Sequence, residues 1–293
     1  MTIALFGKAF NPDHLEFFRL LIGRLEESSC QLIIWEPFHE FIRDKISFRR
    51  KINSFKSHDQ LKGNADFLFS VGGDGTLLDA IQLVRDSGIP VAGINLGRMG
   101  FLSSISRNDI ISAISDILEG KFRIEKRSLI NLESPAGLFG DLMSFALNEL
   151  SINKKETSSM VVVKVWVDDH FVNSYWADGL IVATPTGSTA YSLSCGGPII
   201  VPDSHNFVIT PIAPHNLTVR PVVIPDSSRI RIKIDGRDKN ALIRLDSRVT
   251  MLTQEIDLLI RKADFEINLL QRNDENFFST IRGKLNWGMD IRN

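Results

Sequence analysis

Short apolar segments alternate with helical periods through the first 120 residues of the chain. The pattern predicts four buried strands, at residues 3–7, 32–35, 67–71 and 90–95. Each strand precedes a stretch with helical spacing, and this order is typical of a parallel sheet covered by helices. Residues 1–122 are therefore predicted to form an α/β domain with a parallel sheet.

Helices in this half are predicted from apolar residues that recur on one face. Residues 15–25 show this spacing after Asn11-Pro12, a pair that commonly starts a helix. Residues 110–118 show it again, and Gly120 stands where a left-handed C-cap is expected. Both helices are expected to bury one face against the sheet.

The hydrophobic pattern changes after Phe122 from helical spacing to alternation of apolar and polar residues. Residues 161–167 and 230–234 alternate most clearly, and Asp168-Asp169 and Asp235-Gly236 mark turns. An antiparallel, all-β domain is predicted over residues 123–270. Residues 277–285 have helical spacing again, so the segment 271–293 is expected to pack back on the α/β domain.

Composition supports two globular domains and excludes several partners. The 293 residues are 43% hydrophobic and 24% charged, which is enough apolar surface for two cores. With 34 basic and 35 acidic residues the net charge is −1, so no nucleic-acid or membrane partner is expected. Cys30 and Cys195 lack metal-ligand spacing, and the apolar start is too short for a signal peptide. These features predict a cytoplasmic protein without metal-ligating residues.

The candidate phosphate-binding loop is Gly72-Gly73-Asp74-Gly75-Thr76, which follows a predicted strand and precedes a helical stretch. Glycines let the backbone approach phosphate oxygens, and the N–H groups and dipole of the helix favour anions. Thr76 is expected to cap the helix. The loop lacks the lysine of a Walker sequence and the spacing of a dinucleotide fingerprint, so it is a different kind of phosphate loop.

Asp74 is unusual because phosphate would repel an acid placed among these amides. A carboxylate can orient an attacking hydroxyl and accept its proton, as phosphoryl transfer requires. Since the transition state is loose, orientation is expected to matter more than proton abstraction. Asp74 is therefore the candidate catalytic residue of a kinase. The alternative is a simple Asp-Gly turn without a function.

A second candidate loop follows the apolar segment 180–183. Residues 184–189 are small or carry hydroxyl groups, which permits close approach to a polar ligand. Tyr191 offers an aromatic face on which a base can stack. A Ser/Thr-rich hairpin is the structural alternative.

Six cations lie in the polar stretch before the glycine-rich strand: Arg43, Lys45, Arg49, Arg50, Lys51 and Lys56. They are typical of a solvated helix face or a loop. Alternatively, one or two of them contact a donor triphosphate. The sequence does not choose between these interpretations.

The GGDGT loop resembles that of NAD kinases, diacylglycerol-type lipid kinases and, more distantly, phosphofructokinases. Three further segments are GINLGRMGFL at 93–102, Asn148-Glu149, and DGLIVATPTGSTAYS at 178–192. In this order, and with RGKLNWG at 282–288, they resemble the NAD kinase family over nearly the whole chain.

This resemblance implies a Rossmann-like α/β domain and an all-β domain, with the site in the cleft between them. It implies transfer of the terminal phosphoryl group of ATP to the 2′-hydroxyl of the adenosine ribose of NAD, giving NADP. A divalent cation, usually Mg²⁺, would bridge the donor phosphates. A homodimer or homotetramer, with the β domains at its interface, is also implied.

The resemblance assigns roles to individual residues of this chain. Asp74 would accept the proton of the ribose hydroxyl, and Asp178 would contact the nicotinamide carboxamide. The full set of nucleotide-binding positions is Gly72, Gly73, Gly75, Thr76, Asn95, Phe101, Asn148, Glu149, Asp178, Thr189, Ala190, Tyr191, Ser194 and Arg248. The chain departs from many family members at Asp79 and Trp176, where those members have basic residues.

Two other functions are compatible with a loop of this kind. A lipid kinase would need an apolar cradle and a membrane-seeking surface, which the polar 184–189 loop and the near-zero net charge disfavour. A catalytically silent nucleotide-sensing protein would have little reason to keep Asp74 beside phosphates.

Overall fold

The computed structural model describes residues 1–28, 30–97, 100–103, 105–140, 143–155, 160–235, 241–252, 257–273 and 276–287. The chain divides into two compact units, one of Met1–Lys126 with Ile267–Asn293 and the other of Arg127–Glu266. The domain boundaries were predicted at residues 122 and 270, whereas the structure places them at 126 and 266. They differ because the strands that flank the β unit in sequence, Phe122–Arg127 and Ile267–Arg272, belong to the sheet of the first unit. Each unit has its own hydrophobic core.

The first unit is built on a seven-stranded sheet. Its strands, numbered along the chain, are β1 (Thr2–Gly7), β2 (Gln31–Trp35), β3 (Asn53–Phe55), β4 (Phe67–Val71), β5 (Val91–Ile94), β6 (Phe122–Arg127) and β19 (Ile267–Arg272). Their spatial order is β3-β2-β1-β4-β5-β19-β6, and the neighbours from β3 to β19 run parallel. The predicted parallel sheet is confirmed.

Helices complete this unit. They are α1 (Leu15–Glu27), α2 (Glu36–Ile42), α3 (His58–Leu61), α4 (Asp74–Val84), α5 (Ile110–Leu118) and α7 (Phe277–Leu285). Gly120 follows α5 with φ 74°, the left-handed conformation predicted for it. The Asn276 side chain caps α7 by accepting the N–H of Ser279 at 2.9 Å. The helices predicted from one-sided apolar spacing are therefore confirmed.

Strand β3 was missed because its sequence gives almost no signal. It has three residues at the edge of the sheet, and of these only Phe55 is buried. The polar stretch before it, interpreted as a helix face or loop, therefore leads into a strand. This placement decides at which edge of the sheet Arg49, Arg50, Lys51 and Lys56 lie.

The second unit consists of two six-stranded sheets whose residues share one core. Its strands are β7 (Ile130–Ser134), β8 (Phe145–Ala146), β9 (Glu149–Lys154), β10 (Val161–Val167), β11 (His170–Ala177), β12 (Gly179–Ala183), β13 (Asn206–Ile212), β14 (Val222–Pro225), β15 (Ile230–Asp235), β16 (Ala241–Leu245), β17 (Arg248–Leu252) and β18 (Asp257–Lys262). The orders are β11-β10-β15-β18-β7-β8 and β14-β13-β12-β9-β16-β17. Their described pairings are antiparallel, as predicted.

Local sequence accounts for the geometry of these sheets. Alternate residues of β10 and β15 are buried, as expected for strands with one face on the core. The β10–β11 hairpin turns through Asp168 and Asp169 at φ 47° and 65°, the left-handed pair of a tight hairpin. Among the described residues no helix has the length and apolarity that a membrane crossing requires. The short helix α6 (Tyr191–Ser194) belongs to this unit.

Candidate active site

The glycine loop lies between the end of β4 and the start of α4. Gly72 donates its N–H to the Ile94 carbonyl at 2.8 Å, which fixes the loop to β5. Gly73 is the N-cap of α4, and no described side chain caps this helix. The predicted capping role of Thr76 is therefore wrong, since Thr76 lies within the first turn. A Cβ atom at Gly73 or Gly75 would meet open space, so no protein atom blocks the approach of a ligand to either residue.

Asp74 holds the loop that follows β5 by three backbone hydrogen bonds. Its Oδ2 accepts the N–H of Phe101 at 2.7 Å, and its Oδ1 accepts those of Leu102 at 3.2 Å and Ser103 at 3.0 Å. A carboxylate has about four lone-pair sites, so roughly one is left for a further donor. The side chain is only partly exposed. Asp74 can thus accept one hydroxyl while its own position is fixed by the backbone.

Gly100 makes this arrangement possible by close approach to Asp74. A Cβ atom at residue 100 would lie 1.7 Å from Asp74 Oδ1 and 2.2 Å from its Cγ. Any larger residue at this position would displace either the carboxylate or the loop. The requirement for glycine at 100 is therefore steric.

Asn95 and Phe101, two predicted nucleotide-binding residues, belong to the same loop. The Asn95 side chain is buried, and its Oδ1 accepts the N–H of Gly97 at 2.8 Å. The Phe101 ring lies 4.7 Å from the ammonium of Lys284 in α7. The intervening Arg98 and Met99 lie outside the described residues. Asp74 thus holds Phe101, while Asn95 is fixed by its own hydrogen bond directly after β5.

In the second unit, Asn148 and Glu149 lie against the 184–189 loop. Thr184 donates its hydroxyl to the Leu147 carbonyl at 2.6 Å and its N–H to the Asn148 carbonyl at 2.9 Å. A Cβ atom at Gly187 would lie 2.1 Å from the Asn148 carbonyl oxygen, so this contact also requires glycine. The two segments, predicted separately, are therefore one structure.

The structure decides the local conformation of both segments. Glu149 begins β9 and pairs with Ala183 of β12. The alternative of a Ser/Thr-rich hairpin is wrong, because Thr186–Thr189 forms a 3₁₀ turn that leads into α6. Side-chain hydrogen bonds of Thr184 and Thr189 stabilise this turn.

Asp246 is a residue of this site that sequence analysis missed. Its carboxylate accepts three consecutive backbone N–H groups, from Leu147 at 2.7 Å, Asn148 at 2.8 Å and Glu149 at 3.2 Å. It occupies the two-residue turn between β16 and β17 with φ 53°. An aspartate in such a turn is ordinary, so the sequence contained no signal for this contact.

Burial shifts the pKa values of the two acids at this site. Burial raises the pKa of Asp246 to about 6, against the opposing effect of its three N–H donors and of Arg248. Burial and the charge of Asp246 raise the pKa of Glu149 from 4.5 to about 8, although a Tyr191 N–H bond opposes the shift. Glu149 is therefore mostly protonated at neutral pH. In that form it can both donate and accept a hydrogen bond.

Replacing Glu149 by Gln should change how stability depends on pH. Because the folded-state pKa of Glu149 is raised, the wild type loses stability as pH rises from about 4.5 to about 8. The Glu149→Gln variant lacks this loss, so it should gain about 2–4 kcal/mol relative to wild type between pH 5 and pH 8.5. Denaturant unfolding at the two pH values measures the difference. Glu16→Gln, on an exposed side chain, is the control, and a Glu149→Gln curve parallel to wild type would contradict the prediction.

Tyr191 begins α6 beside these acids, and 39% of its surface is exposed. Burial of the remainder raises the pKa of its hydroxyl, and Cys195, Arg244 and Asp178 contribute smaller electrostatic effects. Ala190 donates its N–H to the Gly187 carbonyl at 2.9 Å. The backbone that leads into Tyr191 is thus fixed by the turn before it, and the side chain is partly exposed.

The other predicted positions differ in their surroundings. Thr189 donates its hydroxyl to the Thr186 carbonyl at 3.1 Å, and Ser194 ends α6. Asp178 pairs with Lys154 at 2.6 Å and is partly exposed. Arg248 donates to the carbonyls of Met143 and Phe145, so its guanidinium is engaged by the chain itself.

The direction of the parallel strands separates the cations before β4. Arg49, Arg50 and Lys51 precede β3, so they lie at the sheet edge opposite the glycine loop. Lys56 follows β3 and lies at the same edge as the loop, where it pairs with Glu36 at 3.0 Å. The hypothesis of a donor contact is therefore disfavoured for residues 49–51.

In the first unit, a strand of a parallel sheet leads through a glycine loop with a fixed acid into a helix. This α/β unit is joined to an antiparallel β unit. Together these features define a phosphotransferase. Family models match the two halves separately: the ATP-NAD kinase N-terminal domain over residues 39–122 and its C-terminal domain over residues 147–271. The NAD kinases of Cytophaga hutchinsonii and Flavobacterium psychrophilum are 44% and 43% identical, each over 100% of both chains. The chain belongs to the NAD kinase family.

Solved structures agree with this assignment. An NAD kinase from Archaeoglobus fulgidus in complex with ATP superposes with a TM-score of 0.75 at 26% identity, covering 98% of this chain and 99% of that one. Yeast NADH kinase complexed with NADH has a TM-score of 0.87 at 24% identity, covering 100% and 89%, and shows the shared fold.

Proposed function

We propose that this protein transfers the terminal phosphoryl group of ATP to the 2′-hydroxyl of the adenosine ribose of NAD, giving NADP. The observation that carries the proposal is the Asp74 carboxylate, fixed by three amides next to a glycine loop with about one acceptor site left. A hydroxyl bound there would be held by a carboxylate whose orientation is fixed by these three hydrogen bonds. Because phosphoryl transfer depends mainly on positioning and charge, orientation of the attacking oxygen is the main contribution of Asp74.

The donor phosphates are proposed to bind at the start of α4. The amides of its first turn, the open space at Gly73 and Gly75 and the helix dipole together favour an anion. The described residues contain no group of three His, Cys, Asp or Glu side chains that could hold a metal ion. This suits a divalent cation, Mg²⁺ in our proposal, that enters bound to the phosphates of ATP and neutralises their charge.

The β unit is proposed to bind the dinucleotide. Asn148 and Glu149 are fixed by Asp246 and by the 184–189 loop, which gives the precise placement that hydrogen bonding to ribose requires. A protonated Glu149 can donate to one ribose oxygen and accept from another. Asp178, Thr189, Ala190, Ser194 and Arg248 remain proposed contacts, carried over from the family.

Removal of the Tyr191 ring should weaken nucleotide binding. The ring is exposed beside the two acids, where a base can stack on it. Tyr191→Ala is expected to reduce NAD affinity by roughly 1–3 kcal/mol, the range for stacking of a base on an aromatic side chain. Titration calorimetry measures this change. Tyr191→Phe keeps the ring and should bind like wild type, so equal losses in both variants would contradict stacking.

One assay separates the candidate functions. Purified protein is incubated with Mg-ATP and, in separate reactions, NAD, NADH or diacylglycerol, and the phosphorylated product is identified by mass spectrometry. Phosphate on NAD supports the proposal, and preference for NADH would redefine the acceptor. Phosphate on diacylglycerol would indicate the lipid kinase alternative. Nucleotide binding without any product would indicate a silent sensor.

Assembly through the β unit and a cytoplasmic location complete the proposal. Strand β11 is a sheet edge on which Phe171 and Trp176 are each 57% exposed, and edge strands with large apolar side chains commonly pair with a second chain. Sedimentation velocity measures whether the mass is that of a dimer or a tetramer.

The free thiols of Cys30 and Cys195 suit a reducing compartment, in which the protein would supply NADP.

A further inference from the structure

Lys8 lies directly after β1, at the sheet edge where the glycine loop begins. Strands β1 and β4 are parallel, and Gly7 pairs with Val71. The next residues, Lys8 and Gly72, therefore leave the sheet side by side, at a strand spacing of roughly 5 Å. The backbone of Lys8 is thus next to the first residue of the phosphate loop.

The side chain of Lys8 is directed along α4 by an ion pair with Asp79. Asp79 is five residues past the start of the helix, roughly 7.5 Å along its axis. Half of the Lys8 side chain, 53%, is exposed. An ammonium group has three N–H donors, so contact with Asp79 leaves others for a second anion.

A cation at this position would offset negative charge at the loop. Residues 72–84 contain Asp74 and Asp79 but neither Lys nor Arg. A nucleoside triphosphate placed on these amides would meet the Asp74 carboxylate, whose repulsion opposes binding, whereas the charge of Asp79 is offset by its ion pair with Lys8. The cations at residues 49–51 lie at the opposite edge of the sheet. Lys56 follows the outermost strand, three strands from β4 and therefore roughly 14 Å away.

We propose that Lys8 binds the phosphate groups of the donor nucleotide and that Asp79 is its positioning residue. The inference rests on the proposed function, in which ATP is the donor at this loop. The ion pair is partly exposed, with 53% of the Lys8 side chain and 28% of the Asp79 side chain accessible, so solvent screens it and the ammonium can turn toward phosphate oxygens at modest cost. A lysine on a flexible stem provides a point charge suited to that role.

Substitution of Lys8 tests the proposal. Lys8→Gln should raise the KM for ATP at least about tenfold, the effect of losing one charged contact, and leave the KM for NAD within about twofold. Lys8→Arg keeps the charge and should remain close to wild type. Lys56→Gln, a cation on the same edge but far from β4, is the matched control. An unchanged KM for ATP in Lys8→Gln, or equal changes in both KM values, would overturn the proposal.

The role of Asp79 and the dependence on the proposed function need separate measurements. Asp79→Asn should raise the KM for ATP about twofold to fivefold in wild type but not in Lys8→Gln, where no ammonium is left to position; the same increase in both backgrounds would contradict positioning. Calorimetry with a non-hydrolysable ATP analogue measures donor binding without turnover. If the wild type fails to phosphorylate NAD but Lys8→Gln still loses affinity for the analogue, the proposed function is wrong and the proposal that Lys8 binds the donor phosphates is supported. Active wild type with unchanged analogue affinity in Lys8→Gln overturns the inference alone.

Discussion

The Asp74→Asn variant should lose at least about 10²-fold in kcat, the usual scale for a group that acts on the proton of the attacking hydroxyl. The amide keeps the size of the side chain but replaces an acceptor oxygen by a donor. That donor would face the backbone N–H groups of residues 101–103, which now bond to the carboxylate. The variant therefore removes the acceptor for the ribose hydroxyl and weakens the hold on the loop.

Two measurements distinguish these effects. NAD affinity, determined by calorimetry, should change much less than kcat if Asp74 acts on the hydroxyl in the transition state. Thermal unfolding reports the loss of the loop contacts, which are worth about 1–3 kcal/mol when a buried donor is left without a partner. Asp44→Asn, on a side chain 86% exposed in the same unit, should behave like wild type. Retention of kcat within tenfold would exclude Asp74 from the chemistry.

The Gly100→Ala variant should have a comparably large effect although it replaces no reactive group. Its Cβ atom would lie 1.7 Å from Asp74 Oδ1, a distance that real atoms do not tolerate, so the carboxylate or the loop must move. A displacement of about 1 Å in a positioning group can cost about 10²-fold in rate. Overpacking should also lower the free energy of unfolding by about 1–3 kcal/mol. Steady-state kinetics and denaturant unfolding measure the two quantities.

Gly97→Ala is the matched control, because a Cβ atom there would have no neighbour within 4 Å. Both substitutions reduce glycine freedom in the same loop, so only the contact with Asp74 differs between them. A Gly100→Ala variant as active as Gly97→Ala would show that the Asp74 geometry is not required for turnover.

The two units use the same device at their candidate sites. Asp74 accepts the N–H groups of residues 101–103, and Asp246 accepts those of residues 147–149. In both, a single carboxylate fixes three consecutive peptide groups, because an ionised carboxylate accepts several hydrogen bonds. The device fixes loop backbone without a regular helix or strand. The two carboxylates have different roles: Asp74 is itself the proposed reactive acid, whereas Asp246 supports Asn148 and Glu149.

Sequence-based prediction succeeded where the signal is local. The strand, glycine loop and helix at residues 67–84 follow from apolar runs and glycines within about 20 residues. It failed for β3, because a three-residue edge strand buries only Phe55 and has no alternation to detect. It also misassigned Thr76 as a cap. Threonine is a suitable N-cap residue, but α4 begins at Asp74, so Thr76 lies inside the first turn.

The sequence by itself determined the two kinds of domain, the GGDGT loop and its acid, and the family, because periodicity, glycine content and short motifs are properties of neighbouring residues. Tertiary structure alone decided what those residues touch. Asp74 meets a loop 27–29 residues away, Asp246 meets amides 97–99 residues away, and Lys8 meets Asp79 across 71 residues. Such contacts depend on strand order and register, which bring distant segments together and which no local pattern specifies.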